Sequence, residues 1–158
     1  MSEHIAGHRE CTVLGWREWV RLPQLHRHAL KAKIDSGAKT CALHAFYVEP
    51  FVRDAQAWVR FGIHPHLRHR TVIVHCETPL ADRREVMDSG GHRELRCVIE
   101  TELRLGTQTF RAEVTLTDRE NLQYRMLIGR NALRGRFLID TALSYSMGKP
   151  LVAANDKP

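Results

Sequence analysis

The chain has 158 residues, and 24 Lys and Arg against 18 Asp and Glu leave a formal charge of +6. Hydrophobic residues make up 43% and charged residues 27%, a balance that supports a real core and excludes fibrous and disordered chains. No apolar run approaches the ~20 residues of a bilayer span. Residues 1–16 place charges where a secretion signal would be apolar, so the expectation is a cytoplasmic protein with no membrane partner.

In chain order, Leu30-Lys31-Ala32-Lys33-Ile34 alternates apolar and polar residues with the period of a half-buried strand. Trp58-Val59-Arg60-Phe61 continues that style, and Thr71-Val72-Ile73-Val74 is a β-branched run that also predicts a strand. Between them, residues 64–70 hold three His and two Arg around Pro65 and read as an exposed basic loop. Residues 96–105 and 109–117 form the clearest hairpin, joined by Gly106-Thr107-Gln108. Residues 125–128 are a further strand, residues 131–134 a short helix closed by Gly135, and residues 136–139 a last strand. Many short strands with one short helix near the C-terminus predict a mainly β barrel or sandwich. A single domain is expected over residues 10–150, with loose ends at 1–9 and 151–158. Cys11, Cys41, Cys76 and Cys97 form no CxxC pair and read as reduced thiols packed like small apolar residues.

The segment Ala32-Lys33-Ile34-Asp35-Ser36-Gly37-Ala38 runs a strand into a tight turn, placing a carboxylate at the end of a rigid element. Asp-Ser-Gly alone is common in ordinary turns, as Asp88-Ser89-Gly90-Gly91 in the same chain illustrates. A second segment gives it weight: Met126-Leu127-Ile128-Gly129-Arg130-Asn131-Ala132-Leu133, an apolar strand followed by Gly-Arg-Asn and a helical turn.

The pair resembles the retroviral type of aspartic protease, in which a strand ends in Asp-Thr/Ser-Gly-Ala, a flap hairpin follows, and Ile-Gly-Arg-Asn/Asp-x-Leu closes the order. The match is closer to the bacterial retropepsin-like RimB family, often labelled ATP-dependent zinc proteases and associated with RimK-type glutamate ligases. Gly15-Trp16-Arg17-Glu18, residues 31–40, Ala42-Leu43-His44-Ala45, residues 88–94 and residues 126–140 carry it. The resemblance implies a retropepsin-like acid-protease barrel and an aspartic-type peptidase. Asp35, Ser36 and Gly37 are its implied catalytic residues, and Arg130 and Asn131 its structural ones. A flap near residues 88–95 supplies Ser89, Gly90, Gly91, His92 and Arg93 to the substrate, with Lys39 beside the cleft. Where the retroviral pattern has a second Asp after Ala, this chain has Lys39, so Arg130 has no carboxylate to bridge there.

Such an enzyme needs two carboxylates sharing one proton. One suitable Asp-Ser-Gly per chain then implies a homodimer; the rival within one chain is Asp140 in Ile139-Asp140-Thr141-Ala142, which lacks the glycine. Lys39, the basic flap and the net charge point to an acidic peptide, and the RimK association to glutamate-rich tails. No cofactor is expected. A zinc peptidase remains an alternative, but the ten His form neither HExxH nor a spaced Cys/His quartet, and no metal ligands are assigned. A GxxxxGK[ST] phosphate loop is absent too. A nucleic-acid binder is disfavoured because aromatic content is 7% and acids interleave the bases. A protease fold used only for binding is the other alternative.

Overall fold

Alternation decides the central strands. In β3 (Ala29–Asp35), Leu30, Ala32 and Ile34 are buried while Lys31 and Lys33 face solvent. In β2 (Arg17–Arg21), Glu18 and Val20 are buried between half-buried Arg17, Trp19 and Arg21. The computed structural model describes residues 11–87, 90–118 and 123–158. Its other strands are β1 (Thr12–Leu14), β4 (Cys41–His44), β5 (Tyr47–Arg53), β6 (Gln56–Ile63), β7 (Val74–Pro79), β8 (Asp82–Met87), β9 (Arg93–Leu105), β10 (Gln108–Thr117), β11 (Met126–Gly129) and β12 (Phe137–Ile139). A single helical turn, α1 (Arg130–Leu133), follows β11 directly. The mainly β class with one short helix near the C-terminus is as the sequence predicts.

The largest sheet runs β10-β4-β11-β3-β2-β9-β8. Because β10 also pairs with β9, six of these strands close on themselves, and β8 extends the rim as an antiparallel partner of β9. Closure removes the free edges that an open sheet would leave to aggregation. Leu30, Leu43, Ile99, Leu103, Met126 and Ile128 fill the interior, each under 2% exposed. The separate sheet β5-β6-β7 lays Val59, Phe61 and Ile63 against that same core. β1 and β12 form a short parallel pair.

The Gly15-Trp16-Arg17-Glu18 motif proves to be a structural clasp. The fully buried Glu18 carboxylate accepts hydrogen bonds from Gly15 N (2.7 Å), Ser146 N (3.2 Å), Ser146 Oγ (2.8 Å) and Met147 N (3.1 Å). Four donors replace the water that a buried anion loses. A Cβ on Gly15 would stand 2.3 Å from Leu143 O, so only glycine lets the chain after β12 lie this close.

Two expectations are corrected. The run 71–74 enters a strand only at Val74, because β6 ends at Ile63, the partner of Val74, and offers nothing for residues 71–73 to pair with. The basic loop 64–70 is not wholly exposed: Pro65 is buried, His64 stacks on Phe46 (4.5 Å) and His66 meets His28 edge-on (5.2 Å). In the C-terminal segment Asp156 is ion-paired to Arg104 and Lys157 N donates to Pro23 O (2.8 Å). All four cysteines are unpaired, and Cys41, Cys76 and Cys97 are buried. Among the described residues no helix is long and apolar enough to cross a membrane.

Candidate active site

Asp35 is the last residue of β3, half-buried, at the point where the chain leaves the barrel wall. Its carboxylate folds back over the turn, where Oδ1 accepts Gly37 N at 3.1 Å. A Cβ on Gly37 would stand 3.3 Å from that oxygen, so glycine gives the carboxylate room to lie over the backbone. Ala38 N donates to Asp35 O at 3.2 Å and closes the turn.

The second motif holds this turn from beneath. β11 pairs in parallel with β3, setting Gly129 opposite Asp35. Arg130 N donates to Ala38 O (2.7 Å) and Asn131 N to Lys39 O (3.0 Å). The Arg130 guanidinium reaches Ser36 O at 3.4 Å, a long contact that takes the place of the carboxylate bridge this chain lacks. Gly129 N points at Cys41 Sγ (3.5 Å), whose thiol burial pushes up to about 11, keeping it neutral and inert. The first amides of α1 and the Gly129 backbone thus clamp the loop bearing Asp35.

Asp35, Ser36, Gly37, Lys39, Arg130 and Asn131 are therefore brought together, with the Ser36 and Lys39 side chains exposed. Ser89 lies outside the described residues. Gly90, Gly91, His92 and Arg93 are exposed at the tip of the β8–β9 hairpin, where Gly91 takes a φ of +82° that suits only glycine in open space. Arg93 faces Glu85 of its own hairpin (3.7 Å). Arg84, in β8 upstream of the hairpin tip, is taken up by Asp82 (2.7 Å) and Glu113 (2.6 Å). Asp140 makes its own small turn beside the β1–β12 pair, its Oδ1 accepting Ala142 N at 2.9 Å.

Among the described residues no group of three or more His, Cys, Asp or Glu could hold a metal ion. The sequence motifs include Thr40 and Trp16 without a site role; the structure lays the Thr40 backbone against Gly129 and has the Trp16 carbonyl accept Ile34 N (2.9 Å) beside Asp35. Sequence reasoning gave no site role to Arg125, a residue only 5% exposed. Local sequence places Trp16 and Thr40 in motifs but does not show these contacts, because their partners lie elsewhere along the chain.

A family model described as the retropepsin-like aspartic endopeptidase RimB matches residues 13–150. A probable alpha-L-glutamate ligase of Parasynechococcus marenigrum is 43% identical over 136 residues, covering 86% of this chain and 29% of the relative. One from Desulfotalea psychrophila is 40% identical over 149 residues, covering 94% of this chain and 31% of the relative. The chain thus spans less than a third of the length of these curated relatives. A solved structure of a Legionella pneumophila protein of unknown function shares the fold, with a TM-score of 0.71 at 24% identity, covering 87% of this chain and 99% of that one. The Asp35 turn, the Gly129–Asn131 clamp beneath it and the family match over nearly the whole barrel agree, and the chain belongs to the RimB-like family of retropepsin-like proteins.

Proposed function

We propose that the chain is an aspartic peptidase acting as a homodimer, each protomer contributing one Asp35, and that it hydrolyses peptide bonds in acidic, glutamate-rich polypeptide tails. The observation that carries this reading is the half-buried Asp35 carboxylate, held at the end of β3 by backbone bonds from Gly37 and a loop clamped by Arg130 and Asn131. Two such carboxylates across a two-fold axis share one proton, since like charges that close do not both ionise. The ionised one takes a proton from the attacking water. The protonated one supports the oxyanion as the tetrahedral intermediate forms, and the leaving amine then takes up a proton.

The β8–β9 hairpin, with Gly90, Gly91, His92 and Arg93 at its tip, acts as the flap over the peptide, and Lys39 adds positive charge beside it. An acidic substrate is supported by the net charge of +6 and by the name of the curated relatives, which are probable glutamate ligases carrying a region like this chain. That name also favours a second reading, a module that binds glutamylated chains for a ligase without cutting them.

Glutamate-rich peptides incubated with the protein and followed by mass spectrometry separate the two. The expected result is cleavage that falls by about 10²–10⁴-fold in Asp35→Asn, the usual worth of a general acid–base group. Binding without cleavage establishes the second reading. Cleavage that survives Asp35→Asn, or that a chelator abolishes and zinc restores, overturns the aspartic mechanism.

A further inference from the structure

The outer face of β2 and β3 is basic. Period-two alternation puts Lys31, Lys33 and Asp35 on one side of β3, and the register sets Trp19 beside Lys31 and Arg17 beside Lys33. At ~3.3 Å per residue, Lys31 lies ~13 Å upstream of Asp35 along the same strand face. At Lys31 the surface opens into a cavity of about 290 Å³, which Arg68 and His69 of the loop after β6 and Arg125 before β11 also line. No acidic side chain lines it among the described residues, and Pro65, Leu67 and Trp19 supply apolar wall.

Arg125 marks the cavity as more than a charged surface. The residue is 5% exposed, and its Nε is buried with no hydrogen-bond partner. A buried cationic donor left unpaired is costly unless something outside the chain satisfies it. Burial and the nearby Arg70 hold this guanidinium below its ordinary value, a strain that an anion would relieve.

The chemistry favours a carboxylate on a short aliphatic stem. Guanidinium and ammonium groups take the carboxylate, and the apolar wall takes the methylenes. The volume lies at the lower edge of the ~300–1,000 Å³ of small-molecule pockets, so it suits one side chain of a longer ligand. Nucleic acid fits less well, because Trp19 is already covered by Lys149 (4.6 Å), Lys31 (5.4 Å) and Tyr145 (5.7 Å) and is not an open stacking platform.

We infer that this cavity is a docking site for a glutamate carboxylate of the peptide, with the chain running along the Lys31–Lys33–Asp35 face so that the docked residue sits about four residues from the bond presented to Asp35. The inference rests on the acidic-peptide reading above, yet its test does not require cleavage.

Fluorescence anisotropy of a labelled octaglutamate peptide is measured on the full chain, on Asp35→Asn, on the exposed-site variants Lys31→Glu and Arg68→Glu, and on Arg53→Glu in β5 as a control of equal charge change. Relative to wild type, Lys31→Glu and Arg68→Glu each weaken binding by about tenfold or more, and Arg53→Glu shifts it by less than about twofold. Equal weakening by Arg53→Glu, or no weakening at Lys31 and Arg68, overturns the site. So does a single-stranded oligonucleotide of equal charge that binds tenfold tighter through Lys31. Lys31-dependent binding without cleavage by wild type leaves the docking site standing and sinks the peptidase. Cleavage whose KM is unchanged in Lys31→Glu does the reverse.

Discussion

Gly129 shows how much of the site rests on one missing atom. Its φ of −88° and ψ of 172° suit any residue, so the requirement is steric and not conformational. A Cβ there would stand 2.5 Å from both the carbonyl carbon and oxygen of Thr40, and 2.9 Å from its nitrogen. All three are backbone atoms in the loop that Arg130 N and Asn131 N hold through Ala38 O and Lys39 O. Nothing can swing aside, so the loop itself must move. Gly129→Ala is expected to cost about 1–3 kcal/mol of stability, the range of overpacked sites. In the proposed peptidase, activity falls further, because a displacement of about 1 Å at a reacting group costs on the order of 10²-fold. Urea unfolding and kcat/KM on the same variant check both, and a stability loss with full activity would detach Gly129 from the positioning of Asp35. The Gly-Arg-Asn signature was legible in the sequence. The reason for its glycine was not, because Thr40 lies 89 residues away.

At the scale of elements, the turn from β2 to β3 carries a buried titratable group. His26 is 2% exposed, its Nδ1 accepts His28 N at 3.1 Å, and its Nε2 has no partner among the described residues. Burial, with His28 and Arg21 close by, brings its pKa down to about 4. The unfolded chain takes up a proton on His26 near pH 6.5, and the folded chain only near 4. Between those values the unfolded state holds more protons, so stability falls as pH drops through the window. The slope approaches ~1.4 kcal/mol per pH unit, about 3 kcal/mol in all. His28, shifted the same way by its own burial, by His66 and by Arg27, adds to this slope. The lowered carboxylates Glu77, Asp82 and Asp156 act in a more acid range. Urea midpoints from pH 4 to 7 should climb to a plateau near 6.5, and His26→Asn should flatten the climb; an unchanged slope in that variant places the proton elsewhere. Other elements show what the sequence could reveal. The β9–β10 hairpin was legible because alternation, a glycine at φ +57° and local pairing coincide within one stretch. β5 was not, because Pro50 argues against a strand, and only its place at the edge of the β5-β6-β7 sheet makes the missing donor harmless. The Asp35 turn was legible from two motifs, whereas the cavity over Arg125 needed four separate segments to converge.

At the scale of the whole molecule, the closed barrel leaves one Asp35 turn per chain, and Asp140 is spent on a turn of its own beside β1. If the proposed chemistry belongs to a symmetric dimer, the active unit has two Asp35 side chains and one of them is not enough. Mixing wild type with Asp35→Asn then gives a result that a self-sufficient monomer does not. In an equimolar, fully exchanged mixture at fixed total protein, random pairing leaves about a quarter of the dimers with both carboxylates, so activity falls to about a quarter of the all-wild-type value. A protomer that completes its own site would retain about half, whatever its partner carries. Dilution adds an independent axis. Below the dimer dissociation constant, activity per milligram falls with concentration in the first case and stays constant in the second. The outcome that sinks the dimer is a mixture at one half with dilution-independent specific activity. The search for a second carboxylate would then turn to Asp140, and Asp140→Asn would have to abolish cleavage while leaving urea unfolding unchanged.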